Sequence, residues 1–404
     1  KCVHGTRAIV EPERQLTAPF FLGGFAISLA IDRWPSAIHR IYAFDLAGAA
    51  GACAIVIPVL NYIGGPEALI VSAGFAALSA AVFGSINRTV SPLRSGAGWL
   101  TAGGLVVALG IAGSSLGLFE IRVAKGLDLT QVAPEFNRWN SFSLISVFRS
   151  WQFRGWGLSP KYTQPIPPEK SLVIDMNAFT PLLAFDGDFS KVSHTQHDLS
   201  ALAYRLRPMK HACVIGAGGG KDVLAALASG VERVTAVEVN PLIANDVMRE
   251  RYRGFNGGLY DRPDVALHVE DGRSFVRGVK DAYDVILISM VDTSAATAAG
   301  AYALAENGLY TVDAFKDFLA KLEPGGVLTV SSVSLPGLAV GARLAALARE
   351  AVRDRGGDPE RSVAVVGTPW LAVNDATMYN VLVKPDGFDA SEVATLSELS
   401  ATLG

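Results

Sequence analysis

The chain has 404 residues, enough for two or three domains. Half of them are hydrophobic and only 18% are charged, with a mean hydropathy of +0.32; soluble domains carry about a quarter charged residues, so part of this chain is expected in lipid. A formal net charge of −3 argues against a nucleic-acid partner, and Cys2, Cys53 and Cys213 lie too far apart for a metal site or a disulfide framework.

The sequence starts at Lys1 without a signal-peptide pattern and is expected to be a piece of a longer chain lacking upstream membrane segments. Apolar stretches at 45–64, 68–86 and 99–119 are each long enough, at about 20 residues, to cross a bilayer as helices. A shorter run, Ala18 to Ile31, reads as a further span, a re-entrant piece or the remnant of one. Ala47, Gly48, Gly51 and Ala52 place small residues at helical spacing, which suits close helix packing in lipid. Asp45 heads its span and reads as an N-cap at the interface rather than an intramembrane functional acid. The flanking charges, Arg33, Arg40, Arg88 and Arg94 against Arg122 and Lys125, do not fix the orientation.

Residues 120–205 form a linker and a small β domain. Phe136, Trp139, Phe142, Phe148, Trp151, Phe153 and Trp156 make the linker aromatic-rich, either as a belt at the membrane interface or, the favoured reading, as the core of a β-hairpin domain whose strands are Ser141 to Phe148 and Ser171 to Asp175.

The remaining residues, 206–404, read as an α/β catalytic domain. An apolar strand, Ala212 to Ile215, leads into Gly216-Ala217-Gly218-Gly219-Gly220, a turn that needs a backbone nearly free of Cβ atoms. A helix from about Asp222 to Ser229 is stopped by Gly230, and the strand Arg233 to Val239 carries Glu238 near its end. This β-α-β unit, with a carboxylate about 20 residues past the first glycine, is the pattern of nucleotide-binding doubly wound sheets. Lys221 stands where a dinucleotide fingerprint wants its third glycine, so Gly216, Gly218 and Gly220 suit an S-adenosyl ligand better than NAD. Glu238 can accept hydrogen bonds from both ribose hydroxyls. A third strand, Asp264 to Val269, precedes Asp271 and Gly272, where Asp271 can accept from an adenine amino group. Tyr283 to Ile288 is a fourth strand. The helix 311–322 passes through Pro324-Gly325-Gly326 into a fifth, Val327 to Val333. After the amphipathic helix Leu338 to Val352, two strands, Arg361 to Val366 and Met378 to Val383, complete a seven-stranded sheet as an antiparallel pair. The helix Ser391 to Ala401 follows.

The segments GAGGGKD, AVEVN, EDGRSF, SMVDTSAATAAGAYALAENGLYT and EPGGVL, between Val214 and Ser332, resemble the catalytic core of spermidine synthases, the polyamine aminopropyltransferases. Together with Tyr42-Ala43-Phe44-Asp45-Leu46-Ala47-Gly48-Ala49, they most resemble the family's membrane-attached relatives. The resemblance implies a seven-stranded Rossmann-like S-adenosylmethionine-dependent transferase sheet, preceded by a small β-hairpin domain and an N-terminal α-helical transmembrane region. It implies aminopropyl transfer from decarboxylated S-adenosylmethionine to a small-molecule amine, without a metal. Two aspartates follow the fourth strand in that family: the second corresponds to Asp292, whereas Ser289 replaces the first, which removes the amine's proton. The family's glycine loop carries an acid that grips the aminopropyl ammonium. Gly219 stands there, with Asp222 close by. Gln196-His197-Asp198 matches the family's Tyr-His-Glu weakly, making Gln196 and His197 substrate-binding candidates. Glu306 is expected to face the pocket from a lid loop as a second catalytic candidate.

A membrane-anchored aminopropyltransferase is therefore the leading expectation, in a multi-pass inner or plasma membrane protein with its catalytic part in the cytosol, where adenosyl-sulfonium compounds are made. An S-adenosylmethionine methyltransferase is one rival, and a non-catalytic sensor or transporter another. The expected partners are the amine and membrane lipids, with no nucleic acid; a homo-oligomer stays open.

Overall fold

The structure, a computed structural model, describes residues 5–86, 96–124, 127–150, 157–291, 307–334, 339–369 and 376–404. The chain divides into two compact units, Lys1–Phe119 and Glu120–Gly404.

The first unit is helical: α1 Gly5–Arg33, α2 Ile38–Tyr62, α3 Gly65–Ile86 and α4 Gly96–Leu116. Among the described residues two helices, Pro35–Tyr62 and Gly65–Phe83, are long and apolar enough to cross a bilayer, and Leu100–Gly113 is a shorter apolar helix. Helices α3 and α4 pack antiparallel through glycines. Gly110 faces Val71, Gly74 faces Val107, and Gly103 faces Leu78 so closely that a Cβ there would lie 2.9 Å from Leu78 Cγ. Small residues let the backbones approach, the means by which helices associate where lipid offers no hydrophobic drive. Phe44, Leu46, Ile55 and Ile57 of α2 are exposed. The helix containing Asp45 starts earlier than its apolar stretch. Ala37 is its N-cap, and Asp45 lies a full two turns inside it, so Asp45 is not a cap.

In the second unit a two-residue pair, β1 Val123–Ala124 and β2 Leu127–Asp128, precedes an antiparallel sheet of β3 Phe136–Trp139, β4 Leu144–Arg149, β5 Glu169–Ile174 and β6 Ala178–Leu183, in the order β3-β4-β5-β6. The small domain is thus a four-stranded meander rather than one hairpin. Its added strands, β3 and β6, begin with half-buried residues, which hides them from a search for apolar runs.

The larger sheet is built of β7 His211–Ile215, β8 Arg233–Val237, β9 Val265–His268, β10 Tyr283–Ser289, β11 Leu322–Ser334, β12 Val363–Pro369 and β13 Thr377–Val383, in the order β12-β13-β11-β10-β7-β8-β9. The five strands from β11 to β9 are parallel; β13 and β12 are antiparallel to their neighbours. Helices α5 Lys221–Ala228, α6 Gly272–Gly278, α7 Val312–Leu319, α8 Val340–Asp354, α9 Pro359–Ser362 and α10 Ala390–Leu403 belong to the same unit, with a π-helix at Leu242–Arg251. This is a Rossmann-like fold with a mixed sheet.

Both faces of the sheet are covered over its central strands, which are therefore apolar on both sides. Ala212, Val214, Val285 and Leu287 enter one core with Leu224 of α5 and Leu202. Cys213, Ile215, Ile286 and Ile288 enter the other with Phe275, Phe315 and Leu344. The chain leaves β7 towards β8 and β9, then returns to place β10 on the other side of β7. The carboxyl ends of β7 and β10 therefore flank the topological switch point, where open α/β sheets bind ligands.

Candidate functional site

A cleft of about 260 Å³ opens at this switch point. Its floor is Gly216, Ala217 and Gly218 after β7, one side is Ser289, Met290 and Val291 after β10, and the other is Glu238, Val239 and Asn240 after β8. The small sheet contributes the facing wall through Phe142, Asp175 and Phe179.

The glycine turn is fixed from three directions. Its Gly218 N–H donates to Glu238 Oε2 at 2.9 Å, and the Gly218 carbonyl accepts from the Tyr260 hydroxyl at 2.8 Å. Strand β6 crosses behind it, forming a bridge from Leu182 to Gly220. Gly220 has φ 83°, a backbone conformation that favours glycine, and a Cβ there would meet the Leu259 side chain at 2.5 Å. At Gly219 space alone decides: a Cβ would lie 2.5 Å from Pro181 O.

Glu238 is 5% exposed, yet it lines the cleft. Its Oε1 accepts from the Asn240 N–H at 2.8 Å, so each carboxylate oxygen is aimed by one backbone donor and keeps a second lone pair for a ligand. Burial pushes its carboxyl above the ordinary value of 4.5, and the N–H groups of Asn240 and Gly218 oppose that rise. Asn240 ties this corner to the small sheet: Asn140 Nδ2 donates to Asn240 Oδ1 at 2.6 Å, and Asn240 Nδ2 donates to Ser143 Oγ at 3.1 Å.

A buried charged cluster lies at the start of α5. Lys221 Nζ stands 3.0 Å from Asp198 Oδ2 and 2.9 Å from Asp222 Oδ1, and all three side chains are at least nine-tenths buried. Ser200 Oγ sits between the two carboxylates, 2.9 Å from Asp198 Oδ1 and 2.7 Å from Asp222 Oδ1. Burial alone would lower the Lys221 ammonium, but the two carboxylates outweigh it and hold the pKa above the ordinary lysine value. Burial pushes the Asp198 carboxyl up against the pull of Lys221.

Two turns on the rim carry backbone strain. Met290, with φ 51°, is held by its N–H to the Ser331 carbonyl at 3.1 Å. Asp175 and Met176, at φ 50° and 53°, make the tight turn between β5 and β6, and Asp175 Oδ1 accepts from the Leu144 N–H at 2.9 Å. Such conformations cost on the order of 1–3 kcal/mol each and cluster at ligand clamps.

Of the residues singled out from the sequence, Gly216, Gly218, Asp222, Glu238 and Ser289 line one cleft, and Gly220 closes its turn. Asp271 sits at the carboxyl edge after β9, where Oδ1 caps α6 through the Ser274 N–H at 2.8 Å; Gly272 packs directly on Ile215. Neither is among the cleft-lining residues. Gln196 and His197 are not either. The Gln196 amide donates to the Ala228 carbonyl, and His197 lies 5.0 Å, ring to ring, from Tyr162 beside the recess that holds Leu403. Their neighbour Asp198 is the member of that tripeptide that reaches the site. Asp292 and Glu306 lie outside the described residues. Ser200, Tyr260 and Asn140 went unread, because each reaches the site from a distant part of the chain; Asn140 is 100 residues from Asn240. Phe142 was read only as one of the linker aromatics, and it lines the cleft.

Residues 194–335 match the spermine/spermidine synthase domain, so the chain is spermidine synthase-like over that region. It is 38% identical over 85 residues to a polyamine aminopropyltransferase of Clostridium perfringens, covering 21% of this chain and 29% of the relative. It is 25% identical over 172 residues to polyamine aminopropyltransferase 2 of Pseudomonas aeruginosa, covering 40% and 46%. The chain thus spans less than half the length of either relative. Among solved structures, the spermidine synthase of Thermotoga maritima aligns with a TM-score of 0.44 at 16% identity, over 65% of this chain and 75% of that one.

Proposed function

We propose that the chain is a membrane-attached transferase that moves an aminopropyl group from decarboxylated S-adenosylmethionine to a small amine. The observation that carries this reading is Glu238, buried and aimed into the cleft by Gly218 and Asn240. Its two oxygens suit the two hydroxyls of a ribose, and the bare glycine turn lets a sulfonium nucleoside lie against the backbone. Asp271, at the next strand end, suits the adenine amino group. Helices α2 and α3 suit a bilayer anchor by length and composition.

The reaction asks little of the protein beyond placement. The amine lone pair forms a bond to the propyl carbon as the C–S⁺ bond breaks. The electron pair passes to sulfur and leaves neutral methylthioadenosine, while the new ammonium gives up one proton. Holding the two reactants in line supplies much of the rate. By the family resemblance the proton goes towards the segment after β10. Ser289 there is a poor base, which leaves the task to Asp292, with Glu306 as a second acid.

Ser289 and Gly219 favour a second reading. Both stand where the family has carboxylates, and their neutrality suits methyl transfer from intact S-adenosylmethionine. Incubation with the decarboxylated donor and putrescine tests the first reading: methylthioadenosine release supports it. Release of S-adenosylhomocysteine from the intact donor, with no methylthioadenosine, would replace it by the second.

A further inference from the structure

An acid at position 219 is not merely missing; the backbone of β6 occupies its room, with Pro181 O 2.5 Å from where a Cβ would be. Three residues on in the chain, Asp222 places a carboxylate on the cleft wall. Its Oδ1 is held by Lys221 and Ser200, and among the described residues no hydrogen bond reaches its Oδ2. Lys221, by contrast, has nothing left to give. Its three N–H groups face Asp198 Oδ2 at 3.0 Å, Asp222 Oδ1 at 2.9 Å and Ser200 Oγ at 3.4 Å. Two carboxylates share this one ammonium, so the group presents negative charge to the cleft.

Building on the adenosyl-sulfonium reading above, we propose that Asp222 receives the donor's terminal ammonium, and that Asp198, Lys221 and Ser200 position it. The contact that the resemblance assigns to position 219 has moved one helical turn, onto α5. Because Lys221 is fully engaged, a donor that also carries a carboxylate finds no free cation among the described residues of the cleft wall and meets Asp222 instead, with Asp198 buried behind it. The site therefore discriminates against the intact methionine arm.

Calorimetry on the full chain in detergent, with three probes, tests this. The first is the S,S-dimethylsulfonium of 5′-thioadenosine, which has the nucleoside and the sulfonium but no arm. The others are the decarboxylated and the intact donor. The wild type is expected to bind the decarboxylated donor at least about tenfold tighter than the armless probe, as a charge-assisted hydrogen bond gives, and tighter than the intact donor. Asp222→Asn erases that margin and leaves the armless probe unaffected. Ser200→Ala, which frees Asp222 to turn, narrows the same ratio. Equal weakening of all probes by Asp222→Asn overturns the proposal. So does a wild type that shows no margin over the armless probe or prefers the intact donor, and that result needs no variant to fold. Failure of the armless probe to bind the wild type would instead refute the nucleoside site itself.

Discussion

Replacing Gly219 by alanine puts a Cβ 2.5 Å from Pro181 O, 3.0 Å from Pro181 C and 3.3 Å from Leu182 N. All three obstacles are backbone atoms, so no side-chain rotation relieves them. Strand β6 is itself held to β5 by the pairs Ser171–Pro181 and Leu172–Thr180, and to the turn by the Leu182–Gly220 bridge. The strand or the glycine turn must shift, and overpacking of this kind costs about 1–3 kcal/mol. For a unit of this size that corresponds to a fall of about 2–10 °C in melting temperature, read by differential scanning fluorimetry. Gly219→Asp adds a carboxylate to the same crowded spot and is expected to melt at least as low, with weaker donor binding. The reasoning is refuted if Gly219→Ala melts within a degree of the wild type, or if Gly219→Asp binds the decarboxylated donor more tightly. Either result would mean that position 219 has room for the acid.

Three further outcomes follow from the same geometry. Glu238→Ala is expected to weaken either donor by about 1–3 kcal/mol in calorimetry; unchanged affinity would mean that the ribose lies elsewhere. Because burial raises the Glu238 carboxyl above 4.5, donor affinity should fall as pH drops through that raised value, earlier than for an exposed glutamate. A profile that stays flat until the ordinary glutamate value of 4.5 contradicts this. The stability term has the opposite sense: the native carboxyl binds its proton more tightly than the unfolded one, so its contribution is greatest below 4.5 and is lost as pH rises through the raised value. Lys221→Met strands Asp198 and Asp222 together without their cation, which costs about 3–5 kcal/mol for a broken buried pair. A loss under about 1 kcal/mol by urea unfolding would show that the lysine is not their partner.

The parts of the site legible in the sequence are those made by neighbours in the chain. The glycine turn follows β7 directly, and Glu238 follows β8 by one residue, so an apolar run and its boundary suffice to find both. The central parallel strands β7 and β10 read clearly because burial on both faces makes them continuous apolar runs. Contacts made across the fold left no such signal. Lys221 looks like a lost glycine until Asp198 and Ser200 come up beside it, more than 20 residues earlier in the chain. Tyr260 lies 42 residues beyond the carbonyl it holds. The start of α2 was misread for a different reason: hydropathy marks the apolar stretch, whereas the helix runs through Ile38-His39-Arg40 before reaching it. The pull of Gln196 towards the carbonyl end of α5 likewise depends on packing that no local pattern records.

The wall that the small sheet lends to the cleft makes the two sheets a single working part. A fragment beginning at residue 206 would keep the glycine turn and Glu238. It would forfeit Phe142, Asp175 and Phe179 from one side, the Asn140 clasp on Asn240, and the Asp198 and Ser200 supports of Lys221. Grafting a different front sheet onto this α/β core would therefore reshape the cleft as well as its boundary.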